Sequence, residues 1–100
     1  MISVYIAGPF FNPEQVERIE AIKYLLESNG YEYYSPKDIF ICPPNADEET
    51  RKRTFQGNVE YIDKADLMVC NTDGKDVGTI WEAGYAYKAR KPIVYFAETL

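Results

Sequence analysis

Histidine is absent from this chain of 100 residues. That removes Ser-His-Asp and Cys-His catalysis and argues against zinc, so acid-base or nucleophilic work falls to carboxylates, tyrosines and lysines. The two cysteines, Cys42 and Cys70, are far apart and belong to no CxxC or metal spacing, and Cys70, at the end of an apolar run, reads as a small core hydrophobe. With no signal peptide, no apolar run of bilayer length and no disulfide framework, the expected compartment is the cytoplasm. Positive charge is also scarce. Eleven basic against 16 acidic residues leave a net charge of -5, which argues against nucleic acid and anionic membrane as partners, since both need a basic footprint. The one basic cluster, Arg51 to Arg53, follows Asp47, Glu48 and Glu49 and reads as a solvated helix face. Neither GxGxxG nor GxxxxGK followed by Ser or Thr occurs. The glycine turns carry aromatic or acidic neighbours, and acids repel phosphate, so a dinucleotide or ATP site is disfavoured.

What is present is enough for one folded domain. An apolar fraction of 46% excludes a disordered chain, and 100 residues suffice for a single core. Nine tyrosines are many for this length, and tyrosine suits pocket walls, where the ring packs and the hydroxyl reaches a polar partner.

In chain order, Ile2 to Ile6 is a β-rich run stopped by Ala7-Gly8-Pro9. A helix follows, with Asn12 as cap, Pro13 at its first position, Glu14 at the dipole's positive end, and Val16, Ile19, Ile22, Leu25 and Leu26 at helical spacing until Asn29-Gly30. Tyr31 to Tyr34 is a second strand. The stretch Ser35 to Ala46, with three prolines, reads as a long loop of the kind that serves as a binding element or lid. A helix from about Asp47 to Ala65, weakened at Gly57, leads to a strand over Asp66 to Asn71. Thr79 to Ala89 is the last helix and Ile93 to Ala97 the last strand. This β-α-β-α-β-α-β alternation specifies a parallel sheet with helices on both faces.

The stretch from Asp73 to Gly84 joins the third strand to the last helix, and in such sheets that edge binds ligands. Asp76 and Glu82 flank a Gly78-Thr79 pair that lets the backbone approach a ligand. Thr79 and Glu82 also spell a capping box, which would satisfy the helix's first amides and need no function. The second acid, the glycines and the position after a buried strand favour a site. Glu82, taken as lying at a helix amino terminus, would be held ionised by the dipole, as a nucleophile requires. Asp76 could sit across the ligand as the acid, the pair suiting sugar-bond chemistry. Phe10 and Phe11 could stack on a flat leaving group such as a nucleobase. Asn58 shares a helix face with Phe55, Ile62 and Ala65 and is either a site residue or a core cap of a loop.

The segments IAGPFFNPEQ, YSP and NVEYIDKADLMVCNTDGKDVGTIWEAGYAYKARKPIV, in that order over nearly the whole chain, resemble the nucleoside 2-deoxyribosyltransferase family. The resemblance implies a single domain over residues 1–100 with a three-layer α/β/α flavodoxin-like (Rossmann-like) parallel sheet. It implies transfer of a 2-deoxyribosyl group between purine or pyrimidine bases through a covalent sugar-enzyme intermediate, without cofactor or metal. Deoxynucleosides and free nucleobases would be the small-molecule partners. By position Glu82 matches the nucleophile, Tyr5 the tyrosine that orients it, and Asp76 the acid that shuttles the base's proton. Asn58 falls where members carry Asp or Asn beside the base, and an amide there bonds a base but lends no proton. Gly8, Phe10, Phe11, Gly78 and Thr79 complete the expected binding set.

Family members run on with another helix and strand, including an asparagine that reaches into a neighbour's site. The four strands visible here are therefore read as a sheet whose fifth is missing, from a fragment or from a short relative that completes its pocket differently. An open sheet edge and the surplus of tyrosines point to a homo-oligomer. Two other functions stay open: a deoxynucleoside 5′-monophosphate N-glycosidase, which would need a phosphate cradle where Phe10, Phe11 and Asn12 stand, and a non-catalytic nucleoside-binding module.

Overall fold

The computed structural model describes residues 1–36, 45–73 and 76–97. Most of the loop expected over 35–46, with Cys42, lies outside the described residues, as do Gly74, Lys75 and the last three positions. Among the described residues seven elements follow one another: β1 (Ser3–Ala7), α1 (Pro13–Ser28), β2 (Glu32–Tyr34), α2 (Glu48–Lys64), β3 (Leu67–Asn71), α3 (Val77–Lys88) and β4 (Ile93–Phe96). The strands form one parallel sheet in the order β2-β1-β3-β4. This is the expected α/β architecture of flavodoxin-like type, with four strands.

β1 lies between two partners, pairing Tyr5 with Tyr34 on one side and with Met68 on the other. All five of its residues are buried, which is why Ser3–Ala7 is nearly continuous in apolar character rather than alternating. Its side chains divide by parity between the two faces. Tyr5 and Ala7 join Met68 and Cys70 of β3 under Ile62 of α2, Ala65 just beyond it, and Ala83 and Ala86 of α3. Val4 and Ile6 point the other way, toward the face that right-handed crossovers assign to α1, whose Ile19 is buried.

The caps follow sequence logic. Asn12 accepts from the Gln15 amide at 2.9 Å, with Pro13 at the first helical position, and Asp47 accepts from the Thr50 amide at 2.8 Å. Gly30 closes α1 at φ 78°, a left-handed conformation that side chains resist. α2 runs unbroken through Gly57, which is buried, so the expected weak point does not interrupt it. Among the described residues, no helix is long and apolar enough to cross a membrane.

The chain leaves β1 toward β2, then returns past β1 to build β3 and β4 on the opposite side. The carboxyl ends of β1 and β3 therefore border a topological switch point, the crevice where such sheets bind ligands. Gly8 follows β1 there, and a Cβ on it would stand 3.1 Å from the Cβ of Asn71 at the end of β3. Glycine lets the two strand ends close up. Asn71 Oδ1 in turn accepts from the Asp73 amide at 3.1 Å, turning the chain toward α3.

The Asn12 cap gives a direct stability test. Asn12→Ala leaves an amide of α1 without its acceptor and is expected to cost about 1 kcal/mol. In thermal unfolding that lowers Tm by about 4–8 °C.

Candidate active site

A cleft of about 460 Å³ opens at this switch point. Gly8, Phe10 and Phe11 line it from the β1 end, Thr54, Phe55, Asn58, Val59 and Ile62 from α2, and Asp76, Val77, Gly78, Thr79, Trp81 and Glu82 from α3 and its cap, with Pro36 beside them. Eight of the nine residues selected from sequence thus share one cavity. The ninth, Tyr5, is buried beneath it on β1 and donates its hydroxyl to Glu82 Oε2.

The turn before α3 differs from the sequence expectation in one respect. The helix begins at Val77, two residues earlier than Thr79, and its cap is Asp76. Asp76 Oδ2 accepts from the Thr79 amide and from the Thr79 hydroxyl, both at 3.0 Å. The box spelled by Thr79 and Glu82 is therefore not formed. The acid at the cap is a better acceptor for the exposed amide, and Thr79, nearly fully buried, spends its donors holding that acid. Gly78 lies against it, where an added Cβ would stand 3.3 Å from Asp76 Oδ2.

Because the helix starts early, Glu82 falls in its second turn, past the reach of the terminal amides. The expectation that the dipole holds it ionised is overturned. Burial raises the Glu82 carboxyl from its ordinary 4.5 to about 7, the Tyr5 hydrogen bond pulling it down and the charge of Asp76 pushing it up. Glu82 is consequently poised to hold or release a proton near neutrality. Burial, the Glu82 charge and the shared hydrogen bond all raise Tyr5, so it stays a donor. Beneath the same carboxylate Cys70 is buried, and burial with the Glu82 charge pushes its thiol up to about 11. It behaves as the inert core residue expected.

Asn58 sits in the cleft wall with its Oδ1 buried and without a hydrogen-bond partner. A buried amide oxygen with no partner is available to a ligand's donor. Phe10 and Phe11 stack on each other, 5.6 Å between centroids at 27°, at the β1 side of the opening. Among the described residues no cluster of histidine, cysteine or acid side chains has the composition of a metal site.

Sequence reading did not select Phe55 and Trp81. Their rings meet at 4.6 Å and 58°, joining α2 to α3 across the cleft wall. The signal was available, since Phe55 precedes Asn58 by one turn and Trp81 adjoins Glu82.

The chain matches the family model for nucleoside 2-deoxyribosyltransferase over residues 4–100. A 2-deoxyribosyltransferase from the psychrotolerant bacterium Bacillus psychrosaccharolyticus is similar at 30% identity and a TM-score of 0.85, covering 97% of this chain and 73% of that one. A 2-deoxyribosyltransferase from Leishmania mexicana has 23% identity and a TM-score of 0.77, covering 99% of this chain and 66% of that one. A CMP N-glycosidase from Clostridium botulinum has 21% identity and a TM-score of 0.68, covering 95% and 71%. The last two are similar in fold alone. No curated protein sequence matches the chain.

The titration of Glu82 can be read from stability. A carboxyl whose pKa is higher folded than unfolded keeps its proton longer in the native state, so stability falls as pH rises from about 4.5 to about 7 and is flat on either side. The fall is expected to be on the order of 3 kcal/mol. Asp47 and Asp66 are held low by hydrogen bonds to Thr50 and Ser3, so their contributions fade only in more acid solution, below 3.8. Urea unfolding across this range should show the fall, and Glu82→Gln should remove it. An unchanged slope in that variant would assign the titration to another group.

Proposed function

Because the chain belongs to the nucleoside 2-deoxyribosyltransferase family, we propose that it transfers a 2-deoxyribosyl group between purine and pyrimidine bases through a covalent ester on Glu82. The observation that carries this reading is the Tyr5–Glu82 contact: a half-buried carboxylate in the cleft, held by one oxygen, with a second carboxylate close enough to affect its titration.

In the first half-reaction the free Glu82 oxygen attacks the anomeric carbon as the carbon-nitrogen bond to the base breaks, and the departing base takes a proton from Asp76. Thr79 holds Asp76 by Oδ2, which leaves Oδ1 as the oxygen free to meet the base. An acceptor base then attacks the same carbon, its proton returns to Asp76, and the Glu82 ester bond breaks. Atoms balance without a cofactor. Tyr5 aims the carboxylate in both steps, Gly8 and Gly78 allow close approach to the sugar and base, and Asn58 meets the polar edge of the base. Phe10 and Phe11 stack on it.

Transfer is favoured over hydrolysis of a nucleotide by the turn after β1, where Phe10, Phe11 and Asn12 stand instead of a cradle for a 5′-phosphate. The same reading takes the working form to be a homo-oligomer. Val94, Tyr95 and Phe96 leave large apolar surface exposed on β4, whose outer edge is unpaired among the described strands.

Incubation with deoxyinosine or thymidine plus free adenine or cytosine should yield new deoxynucleoside by chromatography, and Glu82→Ala should lower that rate by about a thousandfold or more. Mass spectrometry should find a deoxyribosyl adduct on Glu82. Free deoxyribose without exchange would mean a hydrolase, and binding without turnover would mean a nucleoside-binding module. Light scattering should give a multiple of the chain mass at micromolar concentration; a monomer would remove the oligomer.

A further inference from the structure

The cleft separates its chemistry from its apolar surface. Glu82 and its partner Tyr5 lie deep, whereas Phe55 and Trp81 are 48% and 45% exposed although both are large aromatics on packed helices. Val77 and Phe11, at the same opening, are exposed further still. Large apolar side chains left uncovered in the wall of a cleft mark a place for an apolar ligand group.

The geometry of the pair is specific. At 58° the two rings form an open angle, not a closed stack, so a third ring can pack against them. They are also braced. Tyr85 stacks behind Trp81 at 5.6 Å and 16°, and the Tyr85 hydroxyl donates to Asp63 Oδ1 at 2.8 Å. A wall fixed in this way loses little side-chain freedom when a ligand packs on it. Its place relative to the chemistry follows from the helices. Trp81 directly precedes Glu82 on α3, and Phe55 lies one turn before Asn58 on α2. A base whose sugar carbon sits at Glu82 and whose polar edge meets Asn58 would direct a substituent toward this pair. An unsubstituted base, polar at that edge, leaves both rings in water.

We propose that Phe55 and Trp81 form a subsite for an apolar substituent on the nucleobase, and that the protein takes aminopurines bearing an N-alkyl or N-benzyl group in preference to unsubstituted ones. The proposal rests on the reading of the cleft as a nucleoside site, and its test separates the two. Trp81 is the sole tryptophan of the chain, so its emission reports occupancy of the subsite without turnover.

Titration of the full chain with N6-benzyladenine and with adenine, excited at the red edge of tryptophan absorption, should give a Kd about tenfold lower for the benzylated base, the order expected of one more packed ring. In Phe55→Ala, checked for folding by circular dichroism, the ratio should fall to within about twofold. Equal affinities in the parent protein, no change in emission with either base, or a ratio unaltered in Phe55→Ala would each overturn the subsite. The parent comparison alone decides the matter if the variant does not fold. Exchange assays with the same two acceptors complete the test. A tenfold binding preference with no exchange of either base would retire the transferase and leave the subsite; exchange without binding preference would do the reverse.

Discussion

A half-buried carboxylate held by a tyrosine from the central strand is the constraint around which this molecule is arranged. Tyr5 and Glu82 are 77 residues apart, and their contact requires α3 to lie close over β1 and β3. Ala83 and Ala86, both buried, permit that approach because they bring no bulk between helix and sheet. An acid placed so deep would ordinarily stay protonated. The Tyr5 hydroxyl opposes this by stabilising the charged form, and the balance leaves Glu82 near neutrality rather than locked in either state.

The face that α3 turns to the sheet decides where that carboxylate points. A helix advances about 100° per residue, so Glu82, one turn after buried Thr79 and one turn before buried Ala86, lies on the side that meets Tyr5. Asp76 sets the start by capping, and Thr79 secures the cap with two donors on one oxygen. One acid therefore caps the helix that presents the other. The same helix places Trp81 against Phe55 of α2, so the aromatic wall and the carboxylate share one element.

Much of this was readable along the chain. The strand and helix order, the cap at Asn12, the glycine end of α1 and the carboxyl-edge location of the candidate site follow from local rules that the structure obeys. The misreading at Thr79 has a local cause as well: Asp76, three residues earlier, is the stronger acceptor for the exposed amide and takes the cap. Phe55 and Trp81 passed unnoticed because aromatics at helical spacing ordinarily belong to a core, and only exposure distinguishes a cleft wall from one.

The linear chain could establish elements, caps and a motif spanning both glycine turns, because each depends on neighbours within a few residues and on a parallel sheet's habit of gathering its loops at one edge. The protonation of Glu82, the orphaned Asn58 oxygen and the open angle between two rings had to await the fold. Burial and contact between distant residues govern all three, and no spacing in sequence encodes either.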